Sequence, residues 1–109
     1  MDRIANVGLY KGYKFYIRYQ SLSVIDFYSG YVEIPKGHTL YQVDYYDLQD
    51  IDVHGGLTFS GYLDFSDEYL IGFDCGHGGD DISVQDEGYV AKSCMKMIEQ
   101  IIILDEVEE

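Results

Sequence analysis

The chain has 109 residues, 47% hydrophobic by an inclusive count, which suffices for one core and not for two ordinary domains, so a single domain over residues 1–109 is expected. No apolar run reaches the roughly 20 residues that cross a bilayer, and no basic-then-apolar leader opens the chain, which leads to the expectation of a cytoplasmic protein with no membrane partner. The formal net charge of −13 repels nucleic-acid phosphates and so argues against direct binding to DNA or RNA.

Lys11-Gly12 reads as a turn that leads into YKFYIRY, Tyr13 to Tyr19, where Tyr13, Phe15, Ile17 and Tyr19 alternate with Lys14, Tyr16 and Arg18 at the period of a half-buried strand. SVIDF runs into YSGYVEIPKG. There Gly30 is read as permitting a turn, Tyr31 to Ile34 as a strand, and Pro35 as its end. HTLYQVDYYDLQDID is read as a loop with at most one or two helical turns, because its tyrosines compete with a helical spacing. GLTFSGYL, Gly56 to Leu63, and EYLIGFDC, Glu68 to Cys75, read as an antiparallel hairpin, with Leu57, Phe59 and Gly61 expected on one face.

After the glycine-rich GHGGDD, the stretch SVQD, Ser83 to Asp86, fits a capping box. Val90, Cys94, Met97, Ile98 and Ile101 then recur at helical spacing over roughly Asp86 to Leu104. The expected fold is α+β: a small antiparallel sheet with one long C-terminal helix packed on one face, and an acidic tail from about residue 105. Cys75 and Cys94 read as free thiols rather than a disulfide framework.

The segment IDVHGGLTFSGYLDFSDEYLIGFDCGHGGDD, residues 51–81, concentrates the residues that carry chemistry. Asp52 and His54 stand two apart and would point the same way from an extended chain, while Asp74, Cys75, His77, Asp80 and Asp81 stand at the far end of the neighbouring strand. Hairpin pairing would bring His54 and His77 to one edge of the sheet. Three meanings compete for that convergence. Zinc has plausible ligands here but none of the established ligand spacings, so neither a metal nor a cofactor is expected. Cys75 could act as a nucleophile activated by His54 or His77, with Asp52 or Asp74 orienting the imidazole, but no signature of a cysteine hydrolase surrounds it. The favoured meaning is structural, with histidines pinning glycine turns that need positive φ. The GHGGDD loop precedes a helix as a phosphate-binding loop would, yet it matches neither the Walker pattern nor the dinucleotide fingerprint.

The charge is unevenly spread: residues 1–36 hold five basic and three acidic residues, residues 37–91 hold twelve acidic and no basic ones, and residues 92–109 hold two basic and five acidic ones. The basic-free run favours a basic protein partner, although an acidic surface also serves solubility alone. Tyr41, Tyr45 and Tyr46 beside Asp44 and Asp47 form an interface candidate, since tyrosine combines apolar area with a hydroxyl.

GYVEIPKGH, DIDVHGGLTFSG and YLIGFDCGHGGDD, followed by a helix containing CMKMIEQ, resemble a family of small, mostly uncharacterised proteins of bacteriophages and other mobile elements, over roughly residues 10–101. Its relatives often carry an aromatic pair before the GFDC stretch, where this chain has Tyr69-Leu70. The resemblance implies a context and no catalytic residues. In that context the leading expectation is an acidic, anti-CRISPR-like inhibitor, a monomer or homodimer, that binds the basic nucleic-acid-binding surface of a protein in a host defence complex. Asp44, Asp47, Asp50, Asp64, Asp67 and Glu68, with Tyr41, Tyr45 and Tyr46, would make the contact. The alternative is a counter-defence enzyme or ligand sponge that takes a small nucleotide signal through His54, His77, Asp52, Asp74 and Cys75. A regulator acting through the tyrosine-rich face is a third reading.

Overall fold

The alternation of residues 13–19 becomes a strand inside a sheet rather than at its border. The computed structural model describes residues 2–107; Glu108 and Glu109, the end of the expected acidic tail, lie outside them. Strands β1 (Arg3–Tyr10), β2 (Tyr13–Ser21), β3 (Asp26–Ile34), β4 (Phe59–Gly61) and β5 (Tyr69–Asp74) precede helix α1 (Glu87–Val107). All pairings are antiparallel, in the order β1-β2-β3-β5-β4. From β3 the chain therefore runs through residues 35–58 to the far edge, forms β4, and returns as β5 in the slot between β3 and β4. With α1 packed on one face against β2 and β3, this is the expected α+β fold.

The helix supplies the apolar stripe that its spacing implied. Val90, Cys94, Met97, Ile98 and Ile101 are fully buried against Phe15, Ile17, Val32, Ile34, Ile71 and Phe73 of the sheet. Each such aliphatic or aromatic side chain contributes about 1.5–3 kcal/mol through the area it removes from water. The opposite sheet face is covered as well. Tyr16, Tyr31 and Leu70 are buried there under Phe59, Leu63 and Phe65, so the β4–β5 loop folds back over the sheet as a second, smaller core. At Tyr16 β2 is therefore buried on its second face too, while Lys14 on that side stays exposed, so the strand is half-buried as expected except at its centre.

Several local expectations are corrected. Gly30 makes no turn, and β3 runs unbroken through it. A Cβ at Gly30 would lie 2.7 Å from both Cys94 Sγ and Phe73 Cε1, so glycine stands there to let the helix close on the strand. β4 spans three residues instead of the eight expected, and Leu57 and Phe59 do not share a face. Leu57 leaves the Gly55-Gly56 turn into the helix-side core, whereas Phe59, the first truly extended residue, packs on the other side. The capping box at Ser83 does not form. Asp86 caps α1 by accepting the Tyr89 amide at 2.9 Å, while Ser83 gives both its amide and its hydroxyl to Asp81, the stronger acceptor beside it. β1 lacked a clear alternation. It is held as an edge strand by β2, with a register irregularity between Ile4 and Asn6.

The 35–58 excursion needs its own anchors. Asp44 caps a short 3-10 turn, Tyr45–Leu48, by accepting the Tyr46 amide. His38 is buried, with its Nδ1 accepting the Leu40 amide at 3.0 Å and its Nε2 3.1 Å from the Ile101 carbonyl. A nitrogen that accepts carries no proton, so the ring is neutral with its hydrogen on Nε2, donated to Ile101. Loop and helix are joined at that point, and Asp105 reinforces the junction by accepting the Thr39 amide.

Candidate functional site

The β4–β5 register pairs Phe59 with Gly72, Ser60 with Ile71 and Gly61 with Leu70. Extended backwards, the same register sets the chain near residue 54 beside that near residue 77. The structure brings His54 and His77 together, with ring centroids 6.3 Å apart. Gly55 makes the approach possible: its φ is +69°, and a Cβ there would lie 2.7 Å from His77 Cε1.

At the centre stands Asp80, which was not among the candidate site residues. Its Oδ1 is 2.8 Å from His54 Nε2, and its Oδ2 accepts the His77 amide at 2.9 Å. The other nitrogen of His54 meets the hydroxyl of Tyr89, in the first turns of α1, at 2.9 Å. His77 Nδ1 lies 3.5 Å from both Asp74 Oδ1 and Asp80 Oδ2, between two carboxylates. Burial pushes the Asp80 carboxyl up, but the His77 amide and the two imidazoles outweigh it and hold the carboxyl below its ordinary range. His54 and Asp80 are mostly covered, and His77 is 42% exposed.

Two of the proposed chemical partners are elsewhere engaged. Asp52 does not turn towards His54. It pairs with Lys96 at 3.0 Å, and its backbone amide and carbonyl are held by Gln100, because the chain at Asp52 is docked on α1 rather than extended freely. Cys75 is not an activated thiol. It belongs to the helix-side core, only 3% exposed, and burial, with Asp80 and Asp74 adding negative charge, pushes its thiol up to about 12. Asp74 stays near the site, accepting from the Gly76 amide and the Thr58 hydroxyl. The cluster thus offers two imidazoles and a carboxylate, with a tyrosine behind one ring. The sequence places Asp80 at this end of the hairpin without showing that it meets His54, and it gives no sign of Tyr89. An acid three residues after His77 in a glycine turn is a weak signal, and Tyr89 reaches the cluster only through tertiary packing. Next to His54 lies a shallow hollow of ≈ 360 Å³ whose lining includes Tyr89, Ser93 and Lys96.

The expected partner-binding residues fall into three places. Asp64, Asp67 and Glu68 lie on the β4–β5 loop, at the opposite end of the hairpin from the histidines. Asp44 and Asp47 sit on the 3-10 turn, which docks beside β4 through the Tyr45 amide and Ser60. Asp50 lines a small hollow with Ile51, Gln100, Ile103 and Leu104. Tyr45 and Tyr46 stack at 4.4 Å, and Tyr41 meets Tyr69 edge-on while its hydroxyl lies 3.3 Å from that of Tyr62. Among the described residues, no lysine or arginine nitrogen lies within 4.0 Å of the carboxylates of these six acids; the arginine and lysine ion pairs go to Asp2, Asp52 and Glu99. No helix among the described residues is long and apolar enough to cross a membrane.

Family models, curated proteins and solved structures yield no match to this chain.

Proposed function

We propose that this protein acts by binding, its acidic end serving as a phosphate-like surface for a basic, nucleic-acid-binding protein of a host defence complex, in the manner of an anti-CRISPR inhibitor. One observation carries the reading: Asp44, Asp47, Asp64, Asp67 and Glu68 have no cationic partner among the described residues, on elements held in place by the sheet. Carboxylates fixed on a folded surface need little reordering to meet arginine and lysine side chains, and the excess of acids over the neighbouring Lys14 and Lys36 speeds encounter with a basic surface. Tyr46, 73% exposed beside Asp44 and Asp47, supplies a large ring for the apolar part of such a contact. The mobile-element context comes from the resemblance of the HGGLTF and GFDCxHxGD stretches.

The test is capture of the partner from a bacterial host, followed by a salt titration of the purified complex. Binding is expected to weaken steeply between about 50 and 200 mM salt and to be lost in an Asp64→Lys, Asp67→Lys, Glu68→Lys variant that melts like the parent. Affinity indifferent to salt and to these three changes overturns the reading. The hollow beside His54 favours a second one, in which a small nucleotide signal is held by Lys96 and Tyr89 next to His54. Loss of nucleotide binding on His54→Ala and His77→Ala, with melting nearly unchanged, would support it.

A further inference from the structure

We infer that His54, His77 and Asp80 are the protein ligands of a single first-row divalent transition ion of the zinc class. One ligand atom from each of the three residues lies within 4.8 Å of the other two. Ligands about 2.0–2.1 Å from zinc in a tetrahedron stand about 3.3 Å apart. The 2.8 Å between His54 Nε2 and Asp80 Oδ1 is already inside that value, whereas the 3.5 Å from His77 Nδ1 runs to the other oxygen of the carboxylate, Oδ2, so the His77 ring has the longer way to move. The half-exposed His77 ring can rotate through what remains of the gap. On binding, the ion takes the place of the hydrogen between His54 Nε2 and Asp80, and the neutral imidazole carries its single hydrogen on Nδ1 instead, facing the Tyr89 oxygen.

A second, independent observation is the ring of groups behind the ligands. A metal-binding imidazole ordinarily donates its other nitrogen's hydrogen to an oxygen, which fixes the ring's orientation. His54 Nδ1 has such an oxygen in Tyr89 at 2.9 Å. Asp80 is steadied by the His77 amide; Asp74 lies 3.5 Å from His77 Nδ1, on the ligand side of that ring and not behind it. Gly55 leaves the space that lets the second imidazole close on the first. Two imidazoles and one carboxylate suit zinc, iron or cobalt rather than calcium or magnesium. Three protein ligands leave at least one coordination position for water or an incoming group. The sequence spacing hid this site because its ligands come from two turns, 23 residues apart, that only the β4–β5 register brings together.

The experiment is titration of the full chain, stripped with a chelator, with Zn²⁺ and separately with Co²⁺. One equivalent of zinc is expected to bind and raise the melting temperature, and cobalt to give visible d–d bands without a sulfur-to-metal charge-transfer band. Asp80→Asn and His77→Ala should each weaken zinc binding by well over tenfold, and Tyr89→Phe, which keeps the ring and removes only the hydroxyl, by about tenfold. Failure of the parent to bind zinc overturns the assignment. A thiolate band also overturns it, since it places the metal on Cys75 or Cys94. Should a variant fail to fold, the cobalt spectrum of the parent decides by itself. The outcome is independent of whether the acidic end binds a basic protein.

Discussion

The two histidine corners of this molecule differ in what their ring nitrogens meet. His38 is buried and gives both nitrogens to backbone groups, Leu40 and Ile101, so its chemistry is consumed in joining loop to helix. His54 and His77 lie at the surface and meet side chains, Asp80, Tyr89 and Asp74, which can be exchanged for another ligand without unfolding anything. Burial alone does not separate the two roles. The kind of partner does, because an unpaired backbone group inside the protein is costly and an unpaired surface side chain is not.

His38→Ala tests that contrast most severely. It leaves the buried Leu40 amide without its acceptor, takes the second donor from the Ile101 carbonyl, which keeps its partner within α1, and opens a cavity; it is expected to cost about 3 kcal/mol, or about 15 °C in melting temperature, in urea and thermal unfolding. Gly55→Ala comes next, at about 1–2 kcal/mol. It sets an L-residue at φ +69° and drives a methyl into His77. Combined with His77→Ala, the steric part should vanish, so that the double variant is more stable than the sum of the singles implies. A purely additive result would assign the whole cost to the backbone. His77→Ala alone should cost less than about 1 kcal/mol; a loss comparable to that of His38→Ala would erase the distinction between the corners.

The smallest effect is expected from pH. The Ser83 hydroxyl and amide hold Asp81 below the ordinary carboxyl value of 3.8, and the Thr39 amide, with its hydroxyl, does so for Asp105. Each binds a proton less readily folded than unfolded. Their contribution to stability is therefore complete above that ordinary value and lost as pH falls through the lowered ones. Acid titration of Asp105→Asn should show a shallower decline in that window than the parent, and an unchanged profile would remove Asp105 from the junction.

The helix and the hairpin were legible because their signals are periodic. Val90, Cys94, Met97, Ile98 and Ile101 repeat at a helical interval, and Tyr69 to Asp74 is an apolar run bounded by loop residues. Convergence of His54 and His77 followed from pairing alone. What escaped depends on contacts between distant residues. Gly30 reads as a turn until Cys94 and Phe73 are placed against it, and β1 takes its strand form from β2 more than from its own sequence. Cys75, beside a histidine in sequence, faces the core because strand β5 has a buried side there. Asp80 stands near His77 in the sequence, but its bond to His54 exists only with the glycine turn folded, and with it a ligand set that the histidines alone do not complete.

The sheet's two borders carry one more consequence. β4 offers just three residues to a would-be neighbour, and β1 is broken in register between Ile4 and Asn6. A foreign strand needs a long, regular row of free amides and carbonyls on which to grow. β4 provides none, and on β1 the irregularity leaves a regular row only from Asn6 to Tyr10, so the rim is a short template on both sides.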